Sequence, residues 1–298
     1  MKNNTKLKYI ILLLVCLNCV GICLYLNFAY QVDMKDDGDS LDSLRDSIKQ
    51  FETVYDTDTT AEPEVTKDTY TPPETLDVGG DERDTSDEVT ARPQVHNPSA
   101  TLNFDKLWEV NSEIHAWLEI KGTRIDYPIL QSKNYDEKYL NTGFDNSYYL
   151  GGALFTQSTY NGLDFNDPVT LIYGHTMRSG SMFGRLERTY SDPSSFKEHS
   201  DIMIYLPGEV RHYTVFAAVP YDALHILDAY NFSKPYMYRR FFADVKDIRA
   251  INANFNEEAF PEVGDRVIIL SVCLGENAAR RYLVMAVFNE DLADNGIS

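Results

Sequence analysis

The chain reads as a mainly β protein, a closed or nearly closed barrel with a few peripheral helices set behind an N-terminal transmembrane helix. Three features of the sequence support this. An apolar stretch from Tyr9 to Tyr30 lies near the N-terminus and is long enough to cross a bilayer as a helix. An acidic segment rich in Thr, Ser and Pro follows it. In the rest of the chain, about 200 residues and so the size of one ordinary domain, short β-rich segments recur without alternating long helices.

Lys2, Lys6 and Lys8 precede the apolar stretch, and Asp33, Asp36 and Asp37 follow it. The positive-inside bias therefore puts residues 1–8 in the cytoplasm, residues 9–30 in the membrane as a signal anchor, and the remainder outside. The stretch is longer than a signal-peptide core, and no small-x-small cleavage site follows it. The expected location is the cell membrane, single-pass, with the folded domain extracellular. Cys16, Cys19 and Cys23 fall inside the span and read as apolar side chains within it.

The net charge of −19 is concentrated in residues 31–98, in runs such as Asp36-Asp37-Gly38-Asp39. Its few large apolar residues cannot offset the entropy of ordering, so the segment reads as a disordered, self-repelling stalk. A flexible coil of that length averages roughly 45 Å end to end. Leu41, Leu44, Ile48 and Phe51 are the exception: their spacing fits one helix face or a chance pattern in a linker. Acidity on this scale argues against nucleic acid as a partner.

Residues 99–298 read as the folded domain. Leu102 to Val110 has helical spacing, with Asn111 as a stop. Strands are expected at Ala116–Ile120, Ile125–Leu130, Ala153–Thr156, Val169–Tyr173, Ile202–Leu206, Tyr213–Val219, Val267–Ser271 and Tyr282–Asn289. Lys121-Gly122-Thr123 and Pro207-Gly208-Glu209 punctuate them as turns. Between the last two strand groups and the rest, Pro235 to Asn254 looks largely helical: Phe241, Phe242, Val245, Ile248 and Ile251 recur at three-to-four spacing. Such a helix could wall a groove beside the strand that follows.

That strand ends at Cys273, the one cysteine beyond the predicted span. It is either an inert small hydrophobe or a nucleophile, and a nucleophile would need a base or a nearby cation. His175 follows the apolar run Leu171-Ile172-Tyr173 and a glycine, a place where a barrel delivers a side chain to its rim. It is suited to proton transfer, although a histidine after a strand is often structural. Arg280 and Arg281 open the last strand, and the short link Leu274–Ala279 suits a turn that would set an arginine beside Cys273. Fixed positive charge there could stabilise an oxyanion, or simply be a solvated strand end. The other histidines sit in the stalk, in turns or in ordinary strands, and no pair has metal-ligand spacing.

Together these residues resemble the sortases, cysteine transpeptidases of Gram-positive cell walls, and class B most closely. Trp117 to Ile129 is similar to that family's opening strand pair. Tyr173-Gly174-His175-Thr176-Met177, with Gly180-Ser181-Met182-Phe183, is similar to its histidine motif. Ile269-Leu270-Ser271-Val272-Cys273 resembles the cysteine motif, and Arg281-Tyr282-Leu283-Val284 the arginine strand. The helical insert resembles the class B insertion. Val272 departs from the family's usual threonine, the arginine is doubled, and the acidic stalk is not a family hallmark.

The resemblance implies an eight-stranded sortase barrel and transpeptidation. Cys273 would be the nucleophile, His175 the general acid/base, and Arg281 the oxyanion-stabilising and substrate-positioning residue. Arg280 should face the other way by strand alternation. Ser271 and Leu140 would contribute to the substrate groove. The implied partners are sorting-signal peptides of secreted proteins and an amine of the peptidoglycan precursor or cross-bridge, with no metal or organic cofactor. A pilin polymerase or hydrolytic surface peptidase of the same fold, and a non-enzymatic membrane-tethered binding module, are the competing readings.

Overall fold

The computed structural model of the chain describes Leu24 and residues 41–46, 102–177, 179–274 and 277–290, with the side chains at 273, 274, 277 and 278 excepted. The predicted span, Leu24 excepted, and most of the predicted stalk lie outside the described residues. Among the described residues no helix is long and apolar enough to cross a membrane.

Nine strands follow in chain order: β1 (Ile114–Glu119), β2 (Asp126–Leu130), β3 (Leu154–Phe155), β4 (Val169–Gly174), β5 (Asp201–Leu206), β6 (Glu209–Asp222), β7 (Asn254–Phe255), β8 (Val267–Leu274) and β9 (Asn277–Phe288). They hydrogen-bond in the order β5-β1-β2-β3-β4-β8-β9-β6-β7, and β5 also pairs with β6. That extra pairing closes eight strands into a barrel and leaves the two-residue β7 as an appendage of β6. The β2–β3 and β4–β8 pairs are parallel, and the rest are antiparallel. The expected barrel is therefore observed, as a mixed one.

The strand limits shift from those expected for a physical reason. Two-residue pairing is all that β3 makes, so Ala153 and Thr156 fall outside it. β6 runs over 14 residues because it serves β5, β9 and β7 in turn. The turn glycines Gly122 and Gly208 have φ of 78° and 86°, which a Cβ would oppose.

Along β8, Ile268, Leu270 and Val272 face the barrel interior, while Val267 and Ile269 face an outer cluster. On β9, Tyr282, Val284 and Ala286 point in, and Leu283 and Met285 point out. Both faces of these strands are thus covered, which explains why their sequences read as continuous apolar runs rather than alternating ones.

The outer cover is α6 (Pro235–Lys246), with Tyr238, Phe241, Phe242 and Val245 buried on it. Pro235 starts this helix, where a missing N–H costs nothing. The helix is shorter than the spacing to Asn254 predicts. The helix stops at Lys246, and Ile251, expected on its apolar face, is fully exposed. Ile248 is only half-buried against the cluster, and the chain turns into a loop leading to β7.

Three short helices went unanticipated: α3 (Leu186–Ser191), α4 (Pro193–Glu198) and α5 (Ile226–Ala229). Each is too short to show a period. The expected first helix is α2 (Phe104–Val110), begun by the Asn103 side chain and ended at Asn111. Leu102 precedes it but is buried in the barrel core.

Residues 41–46 form a helix, α1, that packs on the barrel. Leu41 and Leu44 are buried in the main core cluster. Arg45 donates from Nε to the Asp126 carbonyl at 3.1 Å, sits 3.2 Å from the Asp126 carboxylate, and lies over the Tyr127 ring at 5.2 Å. The helix-face spacing is met here for its first two positions. Ile48 and Phe51 lie outside the described residues.

Glu113 anchors the start of β1. Its carboxylate accepts from Lys138 Nζ at 2.7 Å and from the Tyr139 hydroxyl, which in turn accepts from Asn111 at 3.1 Å. Burial opposes ionisation of Glu113, but hydrogen bonds from Lys138, Tyr139 and Ser132, with the charge of Lys138, outweigh it and hold the carboxyl below its ordinary range. A carboxyl held low contributes stability that is present above its unfolded value and is lost as pH falls through its folded value. Glu113→Gln should therefore cost about 1–3 kcal/mol at pH 7. It should also flatten the loss of stability between about pH 5 and pH 3. Urea melts across that range check both; an unchanged acid slope in the variant would dismiss the assignment.

Candidate active site

The strand register brings the predicted residues to one end of the barrel. On the parallel β4–β8 pair, Tyr173 stands opposite Ser271 and Gly174 opposite Val272. His175 follows Gly174, so it leaves β4 level with position 273. On the antiparallel β8–β9 pair, Cys273 stands directly opposite Arg281, and a register shift follows it. Arg281 in turn stands opposite Tyr221 of β6. Three adjacent strands thus present a cysteine, a histidine and an arginine at a single level.

Gly174 is fixed by packing. A Cβ there would come within 2.5 Å of both Leu154 and Phe183. Phe183 is fully buried and returns the loop after β4 to the strand end. Its N–H donates to the His175 carbonyl at 3.1 Å, and Thr176 and Met182 form an isolated bridge. The Met182 N–H donates to the Tyr127 hydroxyl at 3.1 Å. His175 therefore sits at the base of a braced loop.

The imidazole of His175 is half-buried, and its Nε2 lies 2.8 Å from the Leu140 carbonyl. A carbonyl only accepts, so Nε2 carries the proton, and the neutral ring keeps its lone pair on Nδ1. One nitrogen is pinned and the other is available to exchange a proton, the arrangement a general acid/base needs. Leu140, expected in the substrate groove, meets the histidine through its backbone. Its half-buried side chain closes the 3-10 turn Lys138–Leu140.

The two arginines separate by strand alternation. Arg281 shares the outward phase of Leu283 and Met285 and is half-buried, whereas Arg280 is exposed on the other phase, opposite Asp222. Arg281 is close enough to Tyr173 for its charge to favour the ionised phenol, although burial outweighs it and pushes the Tyr173 hydroxyl up. Ser271 is buried between Tyr173 and Leu283.

Sequence reasoning passed over three residues at this end. Gln157, Tyr160 and His225 surround the Tyr173 hydroxyl side. Nothing local marks Gln157 or Tyr160. His225 could have been noticed as a helix-starting side chain just before Ile226. Among the described residues, no group of three His, Cys, Asp or Glu side chains is arranged to hold a metal ion.

No protein-family model matches the chain. Sortase B of Staphylococcus aureus is 28% identical over 181 residues, spanning 60% of this chain and 70% of that protein. Sortase B of Listeria monocytogenes is 42% identical over 93 residues, spanning 31% of this chain and 37% of that protein. Among solved structures, a Staphylococcus aureus sortase B–substrate complex superposes with a TM-score of 0.55 at 26% identity, covering 62% of this chain and 84% of that one. A sortase B complexed with triglycine superposes with a TM-score of 0.54 at 25% identity, covering 62% and 85%.

Proposed function

Because the chain belongs to the sortase B family of cysteine transpeptidases, we propose that it cleaves a C-terminal sorting signal of secreted proteins and joins them to a cell-wall amine from an anchored position on the outer face of the membrane. The register supporting this reading sets Cys273 opposite Arg281, with His175 one residue beyond the Gly174–Val272 pair.

His175 takes the proton of the Cys273 thiol, and the thiolate attacks the carbonyl carbon of a Thr–Gly-type peptide bond. The oxyanion that forms is stabilised by the Arg281 guanidinium, a fixed positive charge. Collapse of the tetrahedral intermediate breaks the C–N bond as protonated His175 gives its proton to the leaving amine. The incoming amine then attacks the thioester, His175 takes its proton, and the thiolate leaves. The relatives solved with a substrate and with triglycine support a peptide donor and an amine acceptor. An amine of the peptidoglycan precursor or cross-bridge is the acceptor that the proposed location offers, and residues 9–30 are the proposed anchor.

Mass spectrometry of the chain incubated with synthetic Thr–Gly sorting peptides tests this reading. A thioacyl adduct on Cys273, discharged faster by triglycine than by water, is expected. Hydrolysis at an unchanged rate with or without amine would make the chain a peptidase instead.

The assignment of the arginine is separately testable. Arg281→Ala should lower kcat/KM by about 10²–10³-fold, the usual cost of an oxyanion donor. Arg281→Lys should recover little of it, because a point charge does not reproduce the planar fork. Arg280→Ala should stay within about twofold of the parent, as an exposed charge on the other strand phase. If Arg280→Ala were the damaging change, the pairing with Cys273 would not be the functional one.

A further inference from the structure

His225 starts α5, where its Nδ1 accepts from the Asp228 N–H at 3.2 Å. An accepting Nδ1 leaves the proton of the neutral ring on Nε2. That N–H faces Gln157 Oε1 at 3.0 Å and the Tyr173 hydroxyl at 3.5 Å. The imidazole also packs on the Tyr160 ring with centroids 4.8 Å apart, and Tyr173 stacks on Phe155 at 5.3 Å. The ring of Tyr173 is therefore clamped, and its oxygen faces a donor rather than an acceptor. The phenol keeps its own proton to give.

That phenol stands at the level of Ser271, two residues before His175, with the charge of Arg281 nearby. These are the neighbours a peptide would meet when laid along the outer phase of β8 and β9. We propose that Tyr173 donates a hydrogen bond to a carbonyl of the sorting peptide, and that His225, with Gln157, is the positioning residue that turns its hydroxyl toward it. His225 acts through Tyr173 and does not touch the substrate. The inference rests on the transpeptidase reading above and names part of its peptide-recognition surface.

The test uses the full chain in detergent and the fastest-acylating member of a synthetic Thr–Gly pentapeptide library. Tyr173→Phe, which keeps the ring stack, should raise KM about tenfold and leave kcat within about twofold, because the bond is made equally in ground and transition states. His225→Ala should raise KM about fivefold. His225→Asn retains a side-chain acceptor for the Asp228 N–H but cannot reach Gln157, and it should show the same rise. In the Tyr173→Phe background either His225 change should add less than about twofold, since groups acting as a unit are non-additive.

Nitrogen NMR of the imidazole should find the Nε2–H tautomer in the parent chain. Parent-like KM in His225→Asn would reduce His225 to a helix cap and overturn its positioning role. An Nδ1–H tautomer would do the same. Normal acylation of Cys273 with an unaffected KM in Tyr173→Phe would sink this inference alone. Absence of any Cys273 adduct in the parent chain would instead remove the transpeptidase reading, and this inference with it.

Discussion

Replacing Cys273 with alanine is expected to eliminate the thioacyl adduct and lower turnover by at least ~10⁴-fold, since losing the nucleophile of a covalent mechanism removes the whole pathway rather than one contribution to it. Folding should survive the change. Position 273 lies at the end of β8, after the core residues Leu270 and Val272 have been placed. A parent-like thermal melt together with absent adduct is therefore the expected pair of results. Turnover within tenfold of the parent would mean that the thiol is not the nucleophile. A collapsed melt would show instead that position 273 is needed for folding. Cys273→Ser separates the two readings, because it keeps size and a hydroxyl but lacks the thiol's nucleophilicity.

His175→Ala should cost about 10²–10⁴-fold in kcat at neutral pH, the range for a positioned acid/base. Its pH profile carries more information than its magnitude. An unassisted thiol ionises near pH 8.5. Raising the pH through that value should recover part of the acylation rate in the variant, because hydroxide then supplies the thiolate. Expulsion of the leaving amine still lacks its proton donor, so kcat should not return to the parent value. Stopped-flow acylation followed from pH 6 to pH 10 checks this. A variant whose profile merely scales the parent's would place His175 outside proton transfer. Backbone disturbance can be held apart from the loss of the ring, because the loop is braced by Gly174, Phe183 and the Tyr127–Met182 bond rather than by the imidazole.

Much of this end of the barrel was legible in the sequence because strand chemistry is local. Apolar runs ending in His175 and Cys273 locate two strand termini, and alternation alone separates Arg281 from Arg280. The parallel pairing of β4 with β8, which levels His175 with Cys273, joins residues about a hundred positions apart and leaves no periodic mark. The insert was overextended because Ile248 and Ile251 continue a three-to-four spacing by composition, while only Tyr238, Phe241, Phe242 and Val245 meet the outer sheet face. Gln157 and Tyr160 share the turn after β3, but nothing local groups them with His225, which arrives from the start of α5 about 65 residues later; side chains brought together by tertiary folding have no sequence period. The identity of Leu140 was reached through a motif, but its contact with His175 runs through the carbonyl, which any residue would supply.

The docking of α1 changes the geometry of the tether. Leu41 and Leu44 are buried in the same core as Leu102, so the chain is fastened to the barrel on either side of residues 47–101. Whatever path those residues take, they form a closed excursion and do not separate the barrel from what precedes α1. Between the anchor proposed at residues 9–30 and α1 the sequence has ten residues, 31–40, with a contour of at most about 35 Å. The acidic excursion can lengthen at little thermodynamic cost, since closure entropy grows only with the logarithm of its length. If residues 9–30 are the anchor, changing the length of this excursion is expected to leave the standoff from the bilayer unaltered. The length of residues 31–40, rather than that of the acidic segment, is then expected to set how far the barrel can stand from the bilayer.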